Sequence, residues 1–193
     1  MKPILSVTLI TLAAIVSILT WYGLFAEVTL SEQTIPGFSF VYKKQMGNYR
    51  QSGHMIDEIY KNLKNEGLSS TKGVGLYYDN PRKVAVENLR SLAGCILAGE
   101  EVGTWEPLRK KYLIATLPEI RLPAISFPYK GKLSVVLGTL KVYPRLNAWF
   151  EQHPEHQGPV MEIYDLEGKE IQYIVVRPFG IEAVDALWNT EHP

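Results

Sequence analysis

Apolar residues recur along the chain with the periods of strands and helices, and from residue 38 onward these patterns form two similar units. Alternating apolar and polar positions indicate strands, and apolar residues spaced three and four apart indicate helices. The strands are predicted at 38–42, 74–78, 89–97, 112–117, 124–127, 160–164 and 171–176. The helices are predicted at 54–64 and from residue 133, and Pro144 is expected to kink or restart the second one.

The two units share the order strand, helix, strand, strand. This duplication predicts an α+β fold, a duplicated β-α-β-β domain over residues 38–178 in which two helices cover one face of an antiparallel sheet. Because a pseudo-twofold relates the units, we expect a cleft between the two halves. A short tail over 179–193 is expected to form one helical turn.

The first thirty residues follow a different pattern. Residues 4–26 carry no charge and are rich in Leu, Ile, Val, Ala and Thr, and a bilayer span needs about 20 apolar residues. Three aromatic residues, which favour the lipid–water interface, close the run: Trp21, Tyr22 and Phe25. We therefore predict a single-pass membrane protein with a transmembrane helix over 1–27 and a linker over 28–37. A cleaved signal peptide is the alternative.

Composition narrows the classes of partner. The 193 residues include 20 Lys and Arg against 20 Asp and Glu, and this zero net charge argues against a nucleic-acid partner. Cys95 is the one cysteine, which excludes an intramolecular disulfide. The proline between His153 and His156 spoils a shared helical face and no third ligand is nearby, so no metal is expected. The sequence suggests no cofactor. Lys2 precedes the predicted span, so the tendency of positive charges to stay in the cytoplasm favours a domain on the other side of the membrane. One lysine does not decide between the two orientations.

One strand, at 160–165, carries a carboxylate among residues that favour strands. Side chains alternate along a strand, so Val160, Glu162 and Tyr164 share one face. An acid in this setting is either an ordinary solvent-facing residue or a functional group held in a pocket. The strand alone leaves both interpretations open.

Four spaced motifs occur along this part of the chain: Gly-Asn-Tyr at 47–49, Leu-Tyr-Tyr-Asp-Asn-Pro at 76–81, Leu-Arg-Ser-Leu-Ala-Gly at 89–94 and Met-Glu-Ile-Tyr at 161–164. They resemble the motifs of GyrI-like domains, also called effector-binding domains of AraC-type regulators. The resemblance covers about residues 38 to 178. It implies a ligand-binding domain with a cleft between its halves for small, cationic or amphipathic molecules.

The resemblance also implies which residues form the site. The family's pocket glutamate corresponds to Glu162, and the aromatic residues expected around it are Tyr164, Tyr49, Tyr78 and Tyr129. A carboxylate among apolar aromatic groups is desolvated and gains from pairing with a cation, which the ring faces also attract. We expect a small-molecule ligand, bound rather than chemically converted.

Two alternatives come from relatives within the same family. Some GyrI-like proteins hydrolyse cyclopropane-containing compounds, in which case Glu162 is the catalytic residue. The chain is also similar to the GyrI-like domain of animal ER-phagy receptors, through Tyr-Lys-Lys-Gln-Met-Gly-Asn-Tyr at 42–49 and Phe-Pro-Tyr at 127–129. That similarity implies a protein partner instead of a small ligand, and a domain on the cytoplasmic side of the membrane.

Overall fold

The computed structural model of the chain describes residues 2–98, 106–177 and 181–191. The strands in this part of the chain are β1 (Ser31–Ile35), β2 (Phe38–Met46), β3 (Lys72–Tyr77), β4 (Arg90–Ile96), β5 (Leu113–Leu117), β6 (Ile120–Pro128), β7 (Val160–Asp165) and β8 (Glu170–Val175). The helices are α1 (Lys2–Trp21), α2 (Ser52–Asn65), α3 (Glu106–Arg109), α4 (Lys132–Gln152) and α5 (Ile181–Asn189).

All of these strands join one antiparallel sheet, in the order β1-β6-β8-β7-β3-β4-β2-β5. The order is symmetric about its centre, where β3 of the first half pairs with β7 of the second. The first strand of each half pairs with the other half: β1 lies beside β6, and β5 lies beside β2. The predicted α+β fold with an antiparallel sheet is confirmed.

Alternation along the strands divides the core between the two faces of the sheet. On one face, α2 packs over Val41 and Cys95, and α4 packs over Val160 and Ile171. The other face carries a separate apolar cluster, which α5 covers with Val184 and its neighbours. The two long helices therefore share a face, and the gap between them lies above the central strands.

Helix α2 begins two residues before the predicted helix and ends close to its predicted end. Ile59 and Leu63 are fully buried on its inner face, at helical spacing. Gly67 follows the helix with a φ of 76°, a left-handed conformation that favours glycine. The adjacent Leu68 donates its backbone N–H to the carbonyl of Leu63, which satisfies one of the last free carbonyls of the helix.

Helix α4 runs without interruption through Pro144, which was expected to kink or restart it. Its buried residues recur every fourth position: Ser134, Gly138, Val142, Leu146 and Phe150. Val136 and Leu140, although apolar and at helical spacing, are 53% and 66% exposed and border the gap between the helices. The inner face of α4 therefore excludes these two side chains and contains a glycine.

The N-terminal prediction needs correction. A bilayer span requires about 20 consecutive apolar residues, and the described part of the chain contains no helix sufficiently long and apolar to cross a membrane. The predicted transmembrane helix over 1–27, and with it the single-pass membrane localisation, is therefore wrong.

The predicted linker and tail both contain regular structure. Within residues 28–37, β1 forms one edge of the sheet. In the tail, α5 extends over nine residues rather than a single turn. Residues 179, 180, 192 and 193 of the tail lie outside the described residues.

Candidate ligand-binding cleft

A cleft of about 1110 Å³ lies between α2 and α4. Its floor is the central strand pair, β3 and β7. Tyr60 of α2 and Leu140 of α4 are among the exposed side chains that line its two walls. Large apolar residues that remain exposed beside a concave surface are typical of a ligand site.

Two glycines of β3 leave room on the cleft floor. A Cβ atom at Gly73 would come within 2.9 Å of the Ile56 side chain, and one at Gly75 within 2.8 Å of the Tyr77 hydroxyl. The Tyr77 ring therefore lies back over Gly75, the residue that pairs with Glu162 of β7. The absence of a side chain at Gly75 therefore lets the Tyr77 hydroxyl lie beside the position of the glutamate.

Glu162 lies on this floor and is only 4% exposed. Its Oε1 accepts a hydrogen bond from the Tyr143 hydroxyl of α4 at 2.6 Å, and its Oε2 accepts one from the Tyr164 hydroxyl. Both carboxyl oxygens are thus held by phenol groups. The central strand and the second long helix are tied together through this one side chain.

Three tyrosine hydroxyls form a chain of hydrogen bonds that can end on an ionised Glu162. Each tyrosine hydroxyl has one hydrogen to donate, and Tyr143 and Tyr164 both direct theirs to the carboxylate. The Tyr77 hydroxyl lies 3.4 Å from that of Tyr164 and is left as the donor of this pair. A protonated Glu162 would itself donate to one of these hydroxyls, whose hydrogen would then have to turn away from the carboxyl oxygen.

Burial and hydrogen bonding act in opposite directions on the pKa of Glu162. Burial raises the pKa, the hydrogen bonds from Tyr143 and Tyr164 lower it, and the net direction is upward. Burial, followed by the charge of Glu162, raises the pKa of both tyrosines well above the usual value. The tyrosines therefore keep their protons and serve as donors.

Tyr49 supports this cluster from one end of the cleft. Its ring packs edge-on against Tyr77, with 4.9 Å between ring centroids. Its hydroxyl lies 3.0 Å from the carbonyl oxygens of Asp79 and Arg90 and accepts the backbone N–H of Asp79. Burial raises the pKa of Tyr49 to about 12. Tyr49 thus joins the loop at Asp79 to the start of β4 and packs against Tyr77.

The other two predicted site residues occupy different environments. Tyr129 is half-buried and lines the cleft. Tyr78 borders the cleft, but its hydroxyl donates to the carbonyl oxygen of Val184 at 2.7 Å and its ring packs against Trp188. Most of its interactions are therefore with α5, on the opposite face of the sheet.

Sequence reasoning missed Tyr143 and chose Tyr78 over Tyr77. The glycines at 73 and 75 could have identified Tyr77, because residues 73, 75 and 77 share a face of the strand and the glycines leave space for a ring. A comparable signal for Tyr143 is Gly138. A Cβ atom there would lie 2.4 Å from the hydroxyl of Tyr173, so this glycine lets α4 approach the sheet.

Tyr173 completes the cluster beneath α4. It is fully buried, pairs with Glu162 across β7 and β8, and lies edge-on to Tyr143 with centroids 6.0 Å apart. Within the described residues its hydroxyl has no hydrogen-bond partner. Burial, together with the charge of Glu162, raises the pKa of Tyr173. The close approach at Gly138 thus brings Tyr143 within reach of the carboxylate.

Comparison with known proteins places this architecture in a family. A sequence model described as the GyrI-like small molecule binding domain matches residues 29–176, most of the chain. The chain belongs to the GyrI-like family. The GyrI-like match begins near β1 and ends beside β8, so it includes both halves of the cleft.

Two curated relatives of this GyrI-like chain are mammalian. Testis-expressed protein 264 of Homo sapiens is 28% identical over 165 residues, which cover 81% of this chain and 51% of that protein. Its homolog in Mus musculus is 28% identical over 150 residues, covering 74% and 47% respectively. The chain therefore spans about half the length of the curated relatives it matches.

Solved structures similar in fold to the GyrI-like chain include three proteins. The EcmrR C-terminal domain aligns with a TM-score of 0.48 at 13% identity, covering 76% of this chain and 96% of that one. SAV2435 bound to tetraphenylphosphonium aligns with a TM-score of 0.45 at 15% identity, covering 76% and 92%. A hydrolase from Listeria innocua aligns with a TM-score of 0.42 at 14% identity, covering 76% and 89%.

Proposed function

We propose that this GyrI-like domain binds a small organic cation in the cleft, with Glu162 as its counter-charge. The observation that carries the proposal is a buried carboxylate without a basic partner. Among the described residues no Lys, Arg or His forms an ion pair with Glu162. A buried acid of this kind is costly unless it is paired and hydrogen-bonded, and the tyrosines supply only the hydrogen bonds.

An apolar or amphipathic cation fits the cleft better than a strongly hydrated one. The walls present exposed apolar side chains, including Val136 and Leu140. The rings of Tyr77 and Tyr164 flank the carboxylate, and an aromatic face attracts a cation by about 0.5–2 kcal/mol. A cation placed beside Glu162 would also remove the penalty that burial imposes on the charged carboxylate.

Calorimetric titration of the full chain with tetraphenylphosphonium tests the proposal. Neutral triphenylphosphine oxide, of similar shape, controls for apolar attraction alone. Glu162→Gln keeps the shape of the pocket and removes the charge, and we expect it to weaken cation binding at least about tenfold, because unit charges near a protein surface attract by a few kcal/mol. Glu167→Gln, at an exposed turn position, is the matched control and should leave the affinity unchanged. Equal affinity for the cation and the neutral compound would refute the proposal.

Protein docking is a second candidate, and the similarity to Testis-expressed protein 264 favours it. Docking on an outer surface would be insensitive to the contents of the cleft. Partner capture that is unaffected by saturating tetraphenylphosphonium and by Glu162→Gln would support docking instead of ligand binding. Hydrolysis would use the same carboxylate as a general base, and turnover that survives Glu162→Gln would exclude that role.

A further inference from the structure

The ionic side chains that line the cleft are unevenly distributed along it. Two of its charges are neutralised locally: Asp79 by Arg90, at 2.8 Å, and Lys72 by Asp165, at 2.9 Å. The charges that remain on the lining are Arg50, Arg82, Lys132, Asp57 and Glu162. Their positions determine where a ligand meets positive or negative charge.

Arg50 and Arg82 flank the same end of the cleft. Arg50 directly follows Tyr49, whose hydroxyl contacts the backbone of Asp79, and Arg82 lies three residues beyond Asp79. Both side chains are exposed on the lining, and neither makes a hydrogen bond or ion pair with any other described residue.

The one carboxylate at this end is already occupied. Asp79 Oδ1 accepts from Arg90 Nη2 at 2.8 Å, and Oδ2 accepts from Arg90 Nε at 3.0 Å and from its backbone N–H at 2.8 Å. This bidentate geometry is a strong form of the arginine–carboxylate pair. Asp79 therefore does not offset the charges of Arg50 and Arg82.

The opposite end of the cleft is closer to neutral. Lys132 lines it beside Tyr129, and Asp57 of α2 lies near enough to act on the same tyrosine. Burial, and after it the charge of Asp57, raises the pKa of Tyr129. One base and one acid share this end, in contrast to the two unpaired arginines at the other.

A row of aromatic rings connects the arginines to the buried glutamate. The Tyr49 ring packs on Tyr77, the Tyr77 hydroxyl lies 3.4 Å from that of Tyr164, and Tyr164 donates to Glu162. A molecule lying along this row would have one end beside a carboxylate in an apolar site. Its other end would lie beside two guanidinium groups in water.

We propose that the ligand is zwitterionic, with an organic cation at Glu162 and a carboxylate or phosphate at Arg50 and Arg82. This inference rests on the proposed function, since it assumes that the cleft holds a cation. Guanidinium groups suit both anions, because their planar N–H fork matches the oxygens. The two ends of the cleft would then fix the direction in which the ligand binds.

A matched pair of probes tests the second charge. The probes are triphenylphosphonium cations bearing an alkyl chain of three to eight methylenes that ends in a carboxylate or in the isosteric carboxamide. With the full chain at low salt, we expect the carboxylate to bind about fivefold tighter than the carboxamide at the best length, because exposed ion pairs contribute modestly. The preference should shrink at high salt, which screens exposed charges.

The variants assign the effect to the arginines. Arg50→Gln combined with Arg82→Gln should remove the preference for the carboxylate without weakening the binding of the carboxamide. Lys83→Gln removes a neighbouring exposed charge that does not line the cleft, and it should retain the preference. Equal binding of the two probes at every length, or a preference that survives the double substitution, overturns the zwitterion and leaves cation binding intact. Failure of both probes to bind overturns the proposed function as well.

Discussion

Replacing Tyr143 by phenylalanine removes one of the two hydroxyls that donate to Glu162 and leaves the ring in place. The lost hydrogen bond is 2.6 Å long, and its acceptor is a carboxyl group with 4% exposure. Hydrogen bonds to charged groups stabilise a fold by about 1.5–3 kcal/mol, and neutral ones by about 1 kcal/mol. At neutral pH we expect a loss of about 2 kcal/mol, which lowers the melting temperature by about 4–8 °C in a chain of this size.

The loss should depend on pH in a defined direction. The hydrogen bond from Tyr143 lowers the pKa of Glu162, so its removal raises that pKa further above the unfolded value. The folded variant then holds its proton to a higher pH than the folded wild type does. The destabilisation therefore grows as pH rises through the wild-type pKa of Glu162 and is smallest in acid, where both proteins carry a neutral carboxyl.

Urea denaturation between pH 4 and pH 8 measures this effect. Tyr129→Phe is the matched control, because Tyr129 lines the same cleft and its hydroxyl has no hydrogen bond to another described residue. Its cost should stay within about 0.5 kcal/mol at every pH. Tyr143→Phe should lower the free energy of unfolding by less in a Glu162→Gln background than in wild type, since the charge that accepts the hydrogen bond is absent. Equal costs for Tyr143→Phe and Tyr129→Phe at neutral pH would refute the carboxylate–tyrosine cluster.

Three further substitutions test the burial of Glu162 and the packing of the sheet. The raised pKa of Glu162 contributes stability that is complete below its unfolded pKa and is lost as pH rises through the folded pKa. Glu162→Gln should therefore remain more stable than wild type at pH 8, with the difference disappearing near pH 4, and equal pH profiles in urea would contradict this. Gly94→Ala would place a Cβ atom 1.9 Å from the Val41 carbonyl oxygen and should cost more than about 3 kcal/mol by chemical denaturation. Gly53→Ala, with nothing within 4 Å, should be neutral or stabilise α2 by up to about 1 kcal/mol; a cost comparable to that at Gly94 would count against the packing described.

The sheet was largely predictable because its strands alternate clearly. The alternation of side chains along β7 predicted that Val160, Glu162 and Tyr164 share one face, and that face is the floor of the cleft. The edge strand β1 escaped prediction because its sequence, Ser-Glu-Gln-Thr-Ile, has little apolar content. Its position depends on pairing with β6, which is remote in sequence.

The residues that α4 contributes to the cleft were harder to predict than those that form its floor. Tyr143 meets Glu162 only because α4 is rotated about its axis so that Gly138 faces the sheet. Val136 and Leu140 are apolar and lie at helical spacing, but their side chains border the cleft rather than the core. Helical periodicity alone does not distinguish an apolar stripe that packs in a core from one that lines a ligand site.

The position of a bound cation tests the central claim most directly. Crystals of the full chain grown with tetraphenylarsonium would locate the arsenic by its anomalous scattering, independently of the surrounding density. We predict one dominant arsenic site inside the cleft, between α2 and α4, with Glu162 as the nearest carboxylate. An arsenic site outside the cleft, or one within it that lies closer to Asp57 than to Glu162, would contradict the account.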